Sequence, residues 1–342
     1  MTQEAVDLIQ KMAADTGTLA ALRRRAAAKG ATVVLPEGED ERMIAAALAL
    51  RELEIVRPVL LGDPTRIRAA ISDAGADPGA LEISDPENDP RRADVAAHLV
   101  KRRGHKGMTE EQAFEHAGDP LHFGAALVAH GVAHAMVAGA VNATGDVLRA
   151  ALWSVGLAEG IDVVSSSFLM LPPEGHPLDR PLLFADPAVV PEPTEDQLVS
   201  IGASAADTWK GLFDSDPKVA CLSFSTKGSA AHPAAERMRT VAERLRERGI
   251  DADGELQLDA ALIASIGERK APQSTVAGKA DVLVFPDLEA GNIGYKIAER
   301  LGRYHAVGPL VQGLARPVFD LSRGCNAAAI VDTVAIAALG TK

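Results

Sequence analysis

Ala31-Thr32-Val33-Val34-Leu35, stopped by Pro36-Glu37-Gly38, is a short β-branched apolar run of the kind that forms a buried strand. Asp40-Glu41-Arg42-Met43-Ile44-Ala45-Ala46-Ala47-Leu48 follows as a capped helix, and Pro58-Val59-Leu60-Leu61-Gly62 as the next strand. Strand, helix, strand is a βαβ opening, and it predicts an α/β fold built on parallel strands. Residues 134–140, 161–165, 219–222 and 281–285 continue the alternation as further strands separated by helical stretches. Between 73 and 92 the chain is rich in Pro, Asp and Gly, which predicts surface loops around one short strand.

The bulk composition agrees. A chain of 342 residues exceeds the size at which one core keeps growing, so two domains or one large α/β unit is expected. Hydrophobic residues are 47% and charged residues 24%, as in ordinary soluble globular proteins. Aromatics are only 4%, so the core must be Ala, Val, Leu and Ile, a mixture that suits helices packed on buried parallel strands. The net charge of −12 argues against a non-specific nucleic-acid binder. An anionic small molecule would need a local basic pocket that reverses the global field. Cys221 and Cys325 are far apart and lack metal-type spacing, which supports neither a disulfide scaffold nor a thiolate metal site and fits a reducing cytoplasm. The N-terminal segment MTQEAVDLIQKMAADTG has neither the apolar run of a signal peptide nor that of a membrane span.

Motifs for ATP, dinucleotides and metal hydrolysis are absent: there is no Walker A loop, no GxGxxG after the first strand and no HExxH. Four segments instead share an affinity for anions. Lys101-Arg102-Arg103-Gly104-His105-Lys106 packs cations around a glycine, and reads either as an anion site or as a solvated basic helix face. Arg149 lies shortly after the small-residue loop carrying Asn142, Thr144 and Asp146, near a helix start; it reads as an oxyanion ligand or as a surface cation. Ser223-Phe224-Ser225-Thr226-Lys227-Gly228-Ser229 follows a strand and is either a phosphate nest or an ordinary strand-to-helix turn. Phe319-Asp320-Leu321-Ser322-Arg323-Gly324-Cys325-Asn326 sets a hydroxyl and a guanidinium beside a helix start, where Ser322 or Asn326 also serves as an N-cap. Asn292, Lys296 and Gln312 are secondary candidates to border a site, each equally able to cap a helix or a turn.

Taken together, VVLPEGEDERMIAAA (33–47), MVAGAVNATGDVLRAAL (136–152), FADPAVVPEPT (184–194), LSFSTKGSA (222–230), VAGKADVLVFPDLEAGNIGYKIAERL (276–301) and VGPLVQGLARPVFDLSRGC (307–325) closely resemble the phosphate acetyltransferase family over nearly the whole chain. The resemblance implies two αβα domains of the isocitrate/isopropylmalate dehydrogenase type with an interdomain cleft. Domain I would comprise residues 1–158 and 309–342, and domain II, the expected dimerisation domain of a homodimer, residues 159–308. It implies reversible acetyl transfer between coenzyme A and inorganic phosphate by direct thiol attack in a ternary complex, with no metal and no cofactor beyond coenzyme A as substrate, and a place in acetate metabolism. Carried over by motif, Ser322 would donate to the tetrahedral oxyanion and Arg323 would polarise acetyl phosphate or hold the leaving phosphate. Arg103 and Arg149 would bind phosphate and coenzyme A groups, with Thr144, Ser225, Thr226, Lys227, Gly228, Asn292, Lys296, Gln312 and Asn326 as further substrate contacts.

One position departs from the family. The Asp commonly found seven residues beyond the motif serine, proposed there as the base for the thiol proton, is Ala329 here. Asp320 and Asp332 are the candidate substitutes; alternatively no dedicated base exists, since an ordinary thiol of pKa about 8.5 is already a few per cent thiolate at neutral pH. Competing readings are a phosphate acyltransferase for butyryl or propionyl coenzyme A, and a non-catalytic acetyl coenzyme A sensing module. A decarboxylating hydroxyacid dehydrogenase on the same fold lacks the metal-binding aspartate cluster and the nicotinamide site it would need.

Overall fold

The computed structural model describes residues 2–340. The chain opens with α1 (Gln3–Ala14), α2 (Thr18–Ala27), β1 (Thr32–Leu35), α3 (Glu41–Glu52), β2 (Arg57–Leu61), α4 (Pro64–Asp73), β3 (Glu82–Ser84), α5 (Arg92–Arg103), α6 (Glu110–His116), α7 (Pro120–Ala129), β4 (Ala135–Ala138) and α8 (Thr144–Ser154). It continues through β5 (Ser165–Leu171), β6 (Leu182–Ala185), α9 (Glu195–Phe213), β7 (Val219–Leu222), α10 (Pro233–Glu247), β8 (Ala252–Leu256), α11 (Leu258–Leu262), α12 (Ala264–Lys270), β9 (Val282–Val284), α13 (Leu288–Arg300) and β10 (His305–Gln312), and closes with β11 (Val318–Asp320) and α14 (Ala327–Leu339). The described residues form two compact units, one of residues up to 156 together with those from 314 onward and the other of residues 157–313.

In the first unit a wholly parallel sheet runs in the order β11-β4-β1-β2-β3. β1 lies at its centre, pairing Val34 with Val59 on one side and with Met136 on the other. Helices cover both faces of such a sheet, which is why its strands are unbroken apolar runs and not alternating ones. α3 is apolar nearly all round, burying Met43 through Leu50, because it is packed between the sheet and neighbouring helices α1 and α14. Asp40 caps it, accepting from the N–H groups of Arg42 and Met43. Asp63 and Asp119 do the same for α4 and α7, each with proline in the first turn. The apolar α14 carries one buried carboxylate, Asp332, which accepts from Arg23 of α2 at 2.6 Å. Arg23 also pairs with Asp15, so Asp332 is committed to a structural ion pair between helices and is not the substitute base considered above.

The second unit holds a six-stranded sheet in the order β10-β5-β6-β9-β7-β8. Here the expectation of parallel pairing throughout needs correction, because β5 runs antiparallel to both β6 and β10. The link from β5 to β6, residues 172–181, is too short for the crossover a parallel pair requires. The strand expected at 161–165 begins only at Ser165 and extends to Leu171. Its first three residues are serines, polar in sequence yet buried. Ser166 is bonded to Asp186, and Ser165 accepts from Gln312 at 3.0 Å. β8 is likewise buried although it contains Asp253 and Glu255, whose charges are met by Lys227, Arg246 and Arg239.

Candidate active site

β4 and β11 are parallel neighbours, with Val318, Phe319 and Asp320 in register with Met136, Val137 and Ala138. Their carboxyl ends therefore lie side by side, and the loops that leave them, 139–143 and 321–326, are adjacent, at the edge where open α/β sheets place ligands. Gly139 makes that adjacency possible. Its φ is +107°, and a Cβ on it would come within 2.3 Å of Asp320 Oδ1 and 2.6 Å of the Leu321 nitrogen.

Three side chains hold these loops. Glu37, from the turn after β1, is buried, and its carboxylate accepts from the backbone N–H groups of Gly139, Ala140 (2.8 Å), Val141 (3.0 Å) and Asn142 (2.7 Å), and from Asn142 Nδ2 at 2.9 Å. A nest of amides suited to an external anion is thus filled by the chain's own carboxylate. Arg42 of α3 donates to the carbonyls of Arg323 (2.8 Å), Cys325 (3.1 Å) and Ala140 (2.8 Å), which ties both loops to the helix. Asp40 anchors it in turn at 2.8 Å. Burial would raise the Asp40 carboxyl, and the Arg42 guanidinium more than offsets this, leaving it below its ordinary value. Asn326 caps α14, its Oδ1 accepting from the Ala329 N–H at 2.9 Å. The capping reading therefore accounts for Asn326 Oδ1, and Ala329 offers only a half-buried methyl in the first turn of the helix.

What remains exposed is chemically informative. Ser322 Oγ accepts weakly from the Gly324 N–H at 3.3 Å, a bond that leaves its own O–H available as a donor. Among the described residues the Arg323 side chain has no hydrogen-bond or ion-pair partner, and it is exposed. Thr144, the first residue of α8, is exposed as well and donates from Oγ1 to Asp320 Oδ2 at 2.6 Å. Asp320 itself is only 3% exposed, and its Oδ1 is buried without a partner. Burial, with the Glu37 charge adding, pushes the Asp320 carboxyl up to about 6, against a smaller lowering by Thr144.

Arg149 is the sixth residue of α8 and not, as expected, near its start; its guanidinium pairs with Asp146 one turn back. The guanidinium is thereby held beside the first turn of α8. Further along the same helix Trp153 stacks on the buried His122 of α7 at 5.0 Å between ring centroids, with His116 edge-on at 5.2 Å. Burial holds His122 down at about 4, so this ring is a neutral packing element at physiological pH. Arg103 ends α5 with its guanidinium carbon 5.2 Å above the Trp153 ring. At 1.5 Å per residue, α8 sets Arg149 about 8 Å and Trp153 about 14 Å from Thr144 along its axis.

The candidates in the second unit are mostly engaged in its own architecture. Ser225 Oγ and the Gly228 N–H donate to Glu255 at 2.9 and 2.7 Å, Lys227 pairs with Asp253, and Thr226 Oγ1 accepts from the Gln257 N–H at 2.9 Å. The loop behaves as the ordinary strand-to-helix turn, its donors anchoring β8. Asn292 Nδ2 donates to the Pro187 carbonyl at 2.9 Å, and Lys296 is exposed on α13. Gln312, expected at the border of a site, is buried and bonded to Ser165 and the Ile201 carbonyl, because it terminates β10 within the core.

Neither thiol is poised as a nucleophile. Burial pushes Cys221 up to about 12 and raises half-buried Cys325 as well. Sequence reasoning passed over Glu37 and Arg42. The signal for Glu37 was its place directly after the first strand, and for Arg42 a cation in the first turn of a helix, where the dipole disfavours it.

A family model described as phosphate acetyl/butaryl transferase matches residues 18–338. The phosphate acetyltransferase of Thermoanaerobacterium thermosaccharolyticum is 44% identical over 310 residues, covering 90% of this chain and 94% of that protein. A solved phosphotransacetylase from Streptococcus pyogenes superposes with a TM-score of 0.88 at 38% identity, over 94% of this chain and 97% of its own. A structure titled as a putative 4-hydroxythreonine-4-phosphate dehydrogenase from Salmonella typhimurium has a TM-score of 0.52 at 12% identity, over 90% of this chain and 99% of its own, and shares the dehydrogenase-like two-domain α/β fold alone. The chain belongs to the phosphate acetyl/butaryl transferase family.

Proposed function

We propose that this protein is a phosphate acetyltransferase that interconverts acetyl coenzyme A plus phosphate with acetyl phosphate plus coenzyme A. The observation that carries the reading is the turn after β11, where the backbone of 322–325 is clamped by Arg42 while the Ser322 hydroxyl and the Arg323 guanidinium stay exposed. In the thioester-forming direction the sulfur attacks the acetyl carbon, and the carbon–oxygen bond to phosphate breaks with its electron pair leaving on phosphate. Ser322 donates to the oxyanion of the tetrahedral intermediate, and Arg323 neutralises the departing phosphate. Arg149 and Arg103 supply cations for the phosphate groups of the substrates, the latter held on the Trp153 ring. Attack is direct, in a ternary complex, with no covalent acetyl enzyme and no metal or redox cofactor; the high pKa of both thiols favours this over acyl-cysteine chemistry. Relatives at this level of identity carry the acetyl name, which favours acetyl over longer chains and catalysis over a sensing role, and links the protein to acetate metabolism.

The protein is taken to act in the cytoplasm, where Cys221 and Cys325 remain thiols. It is taken to assemble as a homodimer through residues 157–313, supported by the exposed apolar edge of α13, and to have small molecules, not nucleic acid or membrane, as its partners. The test is formation of acetyl coenzyme A from acetyl phosphate and coenzyme A in the presence of a metal chelator. Wild type turns over, and Arg323→Ala loses about two orders of magnitude or more. Turnover unchanged by Arg323→Ala removes that residue from the chemistry, and a wild type that binds acetyl coenzyme A without phosphate-dependent cleavage makes the protein a sensor.

A further inference from the structure

Thioester formation releases a proton from the thiol, and the surroundings of Ser322 restrict where it can go. The side chain at 329 is a methyl, and Asp332 is tied to Arg23. Glu37 is saturated by amide donors, Asp40 is held by Arg42, and Asp146 is paired with Arg149. Asp320 differs from all of these. It lies two residues before Ser322, and one oxygen has no partner while the other is bonded to the exposed hydroxyl of Thr144 at 2.6 Å. Buried as it is, Asp320 reaches the surface through that hydroxyl.

We propose that Thr144 and Asp320 form a proton relay in which the Thr144 hydroxyl takes the coenzyme A thiol proton while passing its own to Asp320. The step rests on the acetyltransferase reading above. The S–H bond breaks and its electron pair forms the S–C bond to the acetyl carbon. The thiol proton goes to Thr144 Oγ1 as the Thr144 proton goes to Asp320 Oδ2, so Thr144 is neutral before and after. The carbon–oxygen bond to phosphate then breaks, and Asp320 returns its proton through Thr144 to the departing phosphate, which leaves as the monohydrogen dianion. The reverse reaction draws the proton from that dianion by the same route.

The surroundings of Asp320 suit this task. Its charged neighbour is Glu37, its bonded oxygen accepts from Thr144, and burial raises its carboxyl towards neutrality, where an acceptor works best. Thr144 is free for the role because α8 takes no side-chain cap and the helix start does not depend on its hydroxyl.

The experiment is the pH profile of kcat/KM for coenzyme A, with acetyl phosphate saturating, in wild type, Asp320→Asn, Thr144→Val and Thr144→Ser, together with the dissociation constant for acetyl coenzyme A. Wild-type activity is expected to fall about tenfold per pH unit below about pH 6, as the acceptor is protonated. Asp320→Asn and Thr144→Val are expected to lose roughly 10²–10⁴-fold at pH 7. Their deficit should narrow to within about tenfold by pH 9.5, where a thiol of pKa about 8.5 ionises unaided. Thr144→Ser, which keeps the hydroxyl, restores the acidic limb, and binding stays within about threefold throughout. A loss by the same factor at every pH, or no loss, overturns the relay, and Thr144→Val decides the matter should Asp320→Asn fail to fold. Absence of wild-type turnover instead rejects the acetyltransferase reading, and the relay with it.

Discussion

Asp320 is ionised at neutral pH only at a cost to stability. Its carboxyl is raised from 3.8 to about 6 in the folded protein, chiefly by burial, so between those values the folded chain binds the proton more tightly than the unfolded chain does. Stability therefore falls as pH rises through that window, and above about 6 the full penalty is present, on the order of 3 kcal/mol for a shift of this size. Asp320→Asn removes the charge while keeping an oxygen that accepts from Thr144. Urea unfolding of this variant is expected to show a gain of about 1–3 kcal/mol at pH 8 that disappears near pH 4, where the carboxyl is already neutral. A variant equally stable or less stable than wild type at pH 8 would contradict the buried, uncompensated charge. The same substitution is expected to slow the reaction, the usual relation between a strained functional group and stability.

At the scale of elements, the two loops of the site are held less by their own sequence than by one side chain from α3. Arg42 reaches carbonyls 281 and 98 residues away in sequence, at Arg323 and Ala140. Arg42→Ala removes these donors, leaving the partly buried carbonyl of Ala140 without one, which predicts a loss of about 1–2 kcal/mol in chemical denaturation. It also frees the turn that carries Ser322 and Arg323. Since a misplacement of about 1 Å can cost about 10²-fold, kcat should fall by about 10–100-fold, with KM for acetyl phosphate changing less. An unchanged kcat would mean that the turn holds its shape without the clamp.

Such long-range ties mark the boundary of what could be read in advance. β1, α3 and β2 were legible because burial on both faces forces unbroken apolar runs and a capped helix separates them. β5 and β8 were not, because Ser165, Ser166, Asp253 and Glu255 satisfy their polarity with partners distant in sequence, and local periodicity carries no trace of that. The motif around Ser322 and Arg323 was visible as residues. The carboxylate beneath it became a candidate of a different kind only once the Thr144 hydroxyl was seen to touch it.

For the whole molecule, the apolar edge of α13 bears on assembly. Ile293, Ile297 and Leu301 recur every fourth residue, so they share one side of the helix and its end, and they are 59%, 53% and 80% exposed. Monomeric proteins seldom leave aligned large apolar side chains in water, and a second copy of the same edge is the simplest cover, since a two-fold axis brings a surface patch onto itself. Lys296 and Arg300 on the same helix keep such an edge soluble before association. The wild-type protein is therefore expected to sediment as a dimer at micromolar concentration. Ile293→Glu combined with Ile297→Glu, which places four like charges across the axis, should shift it to monomer while leaving far-ultraviolet circular dichroism unchanged. A monomeric wild type, or a double variant that stays dimeric, would take α13 out of the interface and leave its apolar edge to another role.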